Sequence, residues 1–153
     1  MLSGGFDYGT GTSYNGTRLA ARGNIVVVST NYRLGERSRH IFALHTIFDP
    51  YALLPCASND EQPQGPFGFL QHPQILAETG GTTLGGMNGL LDTLLALRWT
   101  HANVDRFGGD ATRLTIGGES AGAVATCMHA HSPLSAGLYA QLVMESGDCT
   151  GPW

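Results

Sequence analysis

Charged residues are scarce in this chain, and basic ones especially so. Of its 153 residues, 8 are Lys or Arg and 12 are Asp or Glu, which gives a formal net charge of -4 at pH 7. A protein that binds nucleic acid needs many basic side chains to neutralise phosphates. The composition therefore predicts no nucleic-acid partner.

Long apolar runs are also missing. No stretch approaches the roughly 20 apolar residues that cross a bilayer, and no basic region leads into an apolar one at the N-terminus, as in a signal peptide. We expect no transmembrane segment and no leader of this kind, which leaves the compartment open. A length of 153 residues corresponds to one domain or to part of one.

The three cysteines, Cys56, Cys127 and Cys149, cannot all pair within one molecule. Their spacing matches neither a zinc site nor a CxxC redox motif. Small buried side chains or free thiols are the expectation, and we expect no metal site.

Apolar segments predict a layered α/β architecture. Residues 24–30 are rich in β-branched side chains without alternation, which is typical of a central strand in a parallel sheet. Residues 88–102 carry a leucine stripe at helical spacing, with Asn88 as a candidate cap and Trp99 closing the apolar face. Residues 113–118 and 140–145 are predicted strands, and a helix from 120 to about 129 lies between them. No element is predicted for residues 36–65.

A GxSxG motif, Gly118-Glu119-Ser120-Ala121-Gly122, lies where the predicted strand meets the predicted helix. A serine at such a sharp turn needs nearly side-chain-free residues two positions before and after it. Ser120 is therefore a candidate nucleophile, and the Ala121 amide at the helix N-terminus can donate to an oxyanion. The alternative is an ordinary turn serine.

A second glycine cluster precedes the first predicted strand. Gly4 and Gly5 lie where hydrolases with this kind of turn keep a glycine loop that supplies the remaining oxyanion amides. Alternatively, these two glycines only turn a loop.

These motifs together resemble the type-B carboxylesterase and lipase family, which includes the cholinesterases. SGGF is similar to the end of the family's HGGGF motif, NYRLG and PFGFL to the two halves of its NYRLGPFGFL, and TIGGESAGA to its elbow TIFGESAGA. The matching segments, with the helix and turn that also match, are 3–6, 31–35, 66–70, 88–99, 107–110 and 115–123.

The resemblance implies an α/β-hydrolase fold and two-step hydrolysis of a small-molecule carboxylic ester, without a cofactor. It makes Ser120 the nucleophile and assigns the oxyanion hole to the amides of Gly4, Gly5 and Ala121. Glu119 becomes the family's buried acidic residue, whereas its position alone would suggest a solvated turn residue. A non-catalytic binding or adhesion protein on the same scaffold is the alternative.

The chain also departs from the family pattern. The acid and histidine of the family's triad follow the serine at a distance, but His129 and His131 lie close behind Ser120, where surface or helix-end roles are expected. We therefore expect residues 1–153 to form a partial α/β-hydrolase domain, truncated at both ends and inactive alone. The oligomeric state stays open.

Residues 36–65 interrupt the family's NYRLGPFGFL motif. We interpret this segment as a non-family insertion, either translated non-coding sequence or a genuine surface loop. Sequencing transcripts across the junction decides between the two, because reads that consistently retain the segment would exclude the first.

Overall fold

The computed structural model of the chain describes residues 15–32, 45–46, 69, 72–78 and 86–150. Its helices and strands, in chain order, are α1 (Thr17–Gly23), β1 (Val28–Ser29), β2 (His45–Thr46), α2 (Pro73–Glu78), α3 (Asn88–Asn103), β3 (Thr115–Glu119), α4 (Ala121–His131) and β4 (Gln141–Glu145). In the part described, no helix is both long and apolar enough to span a bilayer.

Strands β3 and β4 pair in parallel, and helix α4 connects them. The register runs from Thr115 opposite Gln141 to Glu119 opposite Glu145. Two parallel neighbours need a crossover, and a helix packed on the sheet provides one. The predicted strand, helix and strand are confirmed, with strand boundaries that differ from the predicted ones by one or two residues.

Helix α3 packs with its buried side next to the unit formed by β3, α4 and β4. Leu94 and Leu97 are buried, whereas Leu95 is 50% exposed, so the apolar stripe is narrower than its leucine content suggests. The other buried apolar residues are mostly small, which lets helix and sheet approach closely: Ala96, Val104, Ala121, Ala123, Val124, Ala125 and Cys127.

Two details predicted for α3 are wrong. Asn88 is the first residue of the helix rather than its cap; Met87 precedes it, and no side chain caps the first turn. Trp99 does not close a buried face, because it is 40% exposed. Its ring lies against the Phe107 ring, with centroids 5.9 Å apart, just beyond the end of the helix.

A tight turn leads from α3 into β3. Asp110 accepts hydrogen bonds from the amide of Thr112 at 2.9 Å and its hydroxyl at 2.6 Å, and pairs with Arg113 at 2.9 Å. The hydrogen bonds from Thr112, followed by that from Arg113, hold the pKa of the Asp110 carboxyl below its ordinary value. This exposed network fixes the direction in which the chain enters β3.

The prediction for residues 24–30 is only partly met. Within this run, Val28–Ser29 alone forms a strand, and it pairs antiparallel with His45–Thr46. Ile25 is 49% exposed, which a strand buried on both faces would not allow. A β-branched run favours burial, but a central strand also needs neighbours on both edges. The structure assigns one partner, two residues long, within the described ranges.

Two of the cysteines form a disulfide, which corrects the expectation of free thiols. Cys127 on α4 is bonded to Cys149 after β4, with Cα atoms 5.6 Å apart. The bond ties the crossover helix to the segment leaving the sheet. Cys56 lies outside the described residues.

Candidate active site

Ser120 joins the end of β3 to the start of α4. Its backbone has φ 55° and ψ -120°, a combination that residues with a side chain rarely adopt. Such strain persists only where the surrounding structure enforces it, and it is concentrated at functional sites. The sharp strand-to-helix turn predicted from GxSxG is therefore present.

Backbone hydrogen bonds hold Ser120 in this conformation from both sides. Its N–H donates to the carbonyl of Glu145 on β4 at 2.8 Å. Its own carbonyl accepts from the N–H groups of Ala123 at 2.9 Å and Val124 at 3.2 Å. The sheet and the helix thus both fix the serine.

The flanking glycines allow the turn to be this tight. A Cβ on Gly118 would lie 2.7 Å from the Cα of Gly122, and closer still to the carbonyl of that residue. Real Cβ atoms do not approach backbone atoms so closely. The requirement for a side-chain-free residue at position 118, inferred from the motif, therefore has a direct steric cause.

A third glycine also touches the turn, and the sequence analysis missed it. A Cβ on Gly147, just after β4, would lie 2.7 Å from the Ser120 carbonyl oxygen and 2.8 Å from the Ala123 Cβ. Only the spatial proximity of the ends of β3 and β4 explains this contact, since the two residues are distant in sequence. The residues around Gly147 form no motif that would have indicated this contact from the sequence.

The start of α4 adds a favourable electrostatic environment next to Ser120. Ala121 is fully buried and begins an 11-residue helix. The first N–H groups of a helix have no partner within it and carry partial positive charge. A negative charge developing beside Ser120 would therefore be stabilised.

The other predicted site residues divide into two groups. Glu119, the last residue of β3, is half-buried, as is Ser120 itself. Gly4 and Gly5 lie outside the described residues, so their predicted place opposite the serine stays a prediction.

Comparisons with known proteins agree with this geometry. The sequence model of the carboxylesterase family matches residues 64–153, more than half of the chain. The chain belongs to the carboxylesterase family. Relatives include acetylcholinesterase 1 of Caenorhabditis elegans, 34% identical over 155 residues, and bile salt-activated lipase of Mus musculus, 33% identical over 140 residues.

This member of the carboxylesterase family spans only part of the relatives it matches. The matches cover 100% of this chain and 19% of the nematode acetylcholinesterase, and 92% of this chain and 17% of the mouse lipase. Among solved structures, a thermophilic PNB esterase has a TM-score of 0.64 at 32% identity, covering 95% of this chain and 23% of its own. The described elements thus form part of an α/β-hydrolase fold.

Two histidines, His129 and His131, follow Ser120 closely in this carboxylesterase-family chain, but neither faces it. His129 is nine residues along α4, which corresponds to roughly 13 Å along the helix axis. It is only 7% exposed, which corrects the expectation of a surface role. His131 is exposed at the end of α4, as expected, and its Nδ1 lies 3.0 Å from the carbonyl oxygen of Cys127.

His129, on α4, connects this helix in the interior to α3 and to the segment that contains Ser135. Its Nε2 lies 2.7 Å from the hydroxyl of Thr93 on α3, and its Nδ1 lies 2.9 Å from the hydroxyl of the fully buried Ser135. Burial lowers the pKa of His129 below its ordinary value of 6.5, because the charged form loses hydration. The residue therefore acts as a neutral, structural link.

We expect stability to fall on acidification because of His129. The unfolded chain takes up a proton near pH 6.5, whereas the folded chain resists protonation until a lower pH. The free energy of unfolding should therefore decrease as the pH falls below this value. Urea titrations at several pH values test this expectation. His129→Gln should remove this component while lowering stability by about 1–3 kcal/mol at neutral pH; an unchanged pH profile in that variant would contradict it.

Proposed function

We propose that this protein is a carboxylic-ester hydrolase in which Ser120 is the nucleophile and forms an acyl-enzyme. The strained backbone of Ser120, fixed between a parallel strand and a helix N-terminus, is the observation that carries this proposal. Membership of a family whose relatives include acetylcholinesterases and a lipase supports the same reaction class.

The proposed reaction has two steps. The Ser120 hydroxyl oxygen attacks the ester carbonyl carbon and gives its proton to a base, and the tetrahedral intermediate then expels the alcohol. Water attacks the resulting acyl-enzyme, and the carboxylic acid leaves with the serine restored. The substrate is a small-molecule ester.

The negative charge that develops on the carbonyl oxygen requires donors that are already in place. We assign this role to the Ala121 amide at the start of α4, together with the amides of Gly4 and Gly5. Loss of one such donor typically costs about 100-fold or more in rate. Glu119, half-buried at the end of β3, is proposed as the acidic residue behind the serine.

We propose that the base and acid of the triad lie outside residues 1–153. His129 is engaged with two buried hydroxyls, and His131 lies beside Cys127 at the far end of α4. A polypeptide limited to residues 1–153 should therefore bear the nucleophile without the group that activates it. We expect that polypeptide to hydrolyse esters barely, if at all.

Labelling with a fluorophosphonate tests the proposal. This reagent reacts when an activated serine displaces its fluoride and forms a bond to phosphorus. We expect the intact protein to give one labelled peptide, with the adduct on Ser120, when the digest is read by mass spectrometry. The polypeptide limited to residues 1–153 should label far more weakly.

Each alternative result has a definite meaning. An intact protein that never labels, under conditions that label a known serine esterase, would contradict the catalytic role and favour a binding protein. Strong labelling of the isolated 153 residues at Ser120 would leave the nucleophile in place but contradict the placement of the triad base.

A further inference from the structure

A cluster of sulfur and nitrogen atoms lies where the second half of α4 meets the segment after β4. The Sγ atoms of Cys127 and Cys149 and a ring nitrogen of His131 all lie within 4.8 Å of one another. Cys127 is buried, at 4% exposed, whereas His131 and Cys149 are exposed. One face of the cluster is therefore open to solvent while the other is fixed in the protein interior.

We propose that Cys127, Cys149 and His131 form a binding site for a thiophilic divalent cation such as Zn²⁺ when the disulfide is reduced. The disulfide and the metal complex are then two alternative states of the same three side chains. Two thiolates and one imidazole are a ligand set that suits Zn²⁺, with the fourth position left to water.

The spacing of the ligand atoms supports a tetrahedral site. With a Zn–S distance of about 2.3 Å and a Zn–N distance of about 2.0 Å, tetrahedral angles put sulfur and nitrogen roughly 3.5 Å apart. The Sγ of Cys127 and Nδ1 of His131 are 3.5 Å apart. This edge of the site therefore needs almost no rearrangement.

The helix provides the reason for this spacing. Cys127 and His131 are four residues apart on α4, so their side chains lie on the same face, one turn from each other. Cys149 belongs to the segment after β4 and is exposed, so it can make the remaining adjustment. Two sulfur ligands of one Zn²⁺ lie roughly 3.8 Å apart, which asks this segment to move by about 2 Å from the disulfide-bonded position.

One existing contact must be given up. Nδ1 of His131 lies 3.0 Å from the carbonyl oxygen of Cys127, where a proton on that nitrogen would be donated. A metal needs the lone pair of Nδ1, so the proton must then occupy Nε2. The lost hydrogen bond is partly buried, but the ring of His131 is exposed, so water can take its place at the ring.

A dithiol can serve as the reductant that opens the Cys127–Cys149 disulfide. The dithiol gives two electrons and two protons, the Cys127–Cys149 bond becomes two thiols, and the reductant closes to its own disulfide. Binding of Zn²⁺ then releases the two thiol protons to the buffer. An oxidant that reforms the disulfide expels the metal.

Metal titration of the reduced chain tests the proposal. We would use a Cys56→Ser background, so that within residues 1–153 the only thiols are those of the cluster, reduce it with a dithiol, and remove the reductant without air. Cd²⁺ or Zn²⁺ alone is then added, with thiolate-to-cadmium absorption and competition against a chromogenic chelator as readouts. We expect one ion per chain after reduction and none before it.

The histidine distinguishes the proposed site from two reactive thiols. His131→Ala should weaken affinity at least about 10-fold, and His131→Gln should do the same while keeping a polar side chain. His101→Ala, at the end of α3, is the matched control and should leave affinity unchanged. Helical circular dichroism would check that each reduced variant remains folded.

Several results would each overturn the proposal. These are no metal binding after reduction, equal affinity in the His131 variants and the control, and equal binding by the oxidised chain. Metal binding that persists in urea with the same affinity would likewise show that two loose thiols account for it.

Discussion

Ser120→Ala should lower kcat/KM for ester hydrolysis by the intact protein at least about 10⁴-fold. Alanine has no hydroxyl to attack the carbonyl, so the acyl-enzyme cannot form. The amide of residue 121 and the rest of the turn remain, which leaves a residual rate above that in water. Initial rates on a chromogenic short-chain ester, with a wide concentration range, measure the change.

Ser146 offers a matched control for that substitution. It follows β4 as Ser120 follows β3, and it also has a positive φ, 54° against 55°. Serine and alanine pay the same backbone cost at such a position, so Ser146→Ala should change kcat/KM less than about twofold. A similar loss in both variants would mean that Ser120 acts on the fold instead of the chemistry.

The part of the fold that was predicted well is the part with dense local signals. Three elements, β3, α4 and β4, are short apolar segments bounded by glycines and polar turns. Whether each is a strand or a helix follows from that pattern. A GxSxG motif between the first two also fixes the geometry of the turn, since few backbones accommodate it.

The errors concern interactions between distant parts of the chain. The β-branched run before Thr30 gave no information on whether neighbouring strands would cover it, and Ile25 remains exposed. The Cys127–Cys149 bond likewise depends on a Cα separation of 5.6 Å that the fold creates over a sequence separation of 22 residues. Neither the β-branched run nor the spacing of the cysteines indicates which distant residues will lie beside it in the fold.

The candidate site shows the same division between residues that a local motif predicts and residues that depend on distant contacts. Ser120 and its glycine neighbours were recognised because the steric rule of the turn is written in five consecutive residues. Gly147 was missed because its contact with Ser120 depends on the pairing of β3 with β4. A surface or helix-end role was predicted for His129, but it is buried, and Thr93 and Ser135 satisfy both of its nitrogens.

Gly118→Ala should reduce both stability and activity. The added methyl carbon would lie within 2.7 Å of the Gly122 Cα, and nearer to its carbonyl, so strand β3 and helix α4 would have to separate. Overpacking typically costs about 1–3 kcal/mol, and a clash with backbone belongs at the upper end of that range. Displacing Ser120 by even 1 Å would in addition cost about 100-fold in rate. Urea unfolding gives the first quantity, and kcat/KM together with fluorophosphonate labelling gives the second.

Gly23→Ala is the matched control, because there the new Cβ would meet only the side chain of Ile25, at an ordinary distance of 3.4 Å. This residue ends helix α1, where alanine is a better helix former than glycine. Its free energy of unfolding and its labelling should therefore equal or exceed those of the unmodified protein. If Gly118→Ala behaved the same way, the turn at Ser120 would have room for a side chain at position 118, and the close approach of β3 and α4 could not be what requires glycine there.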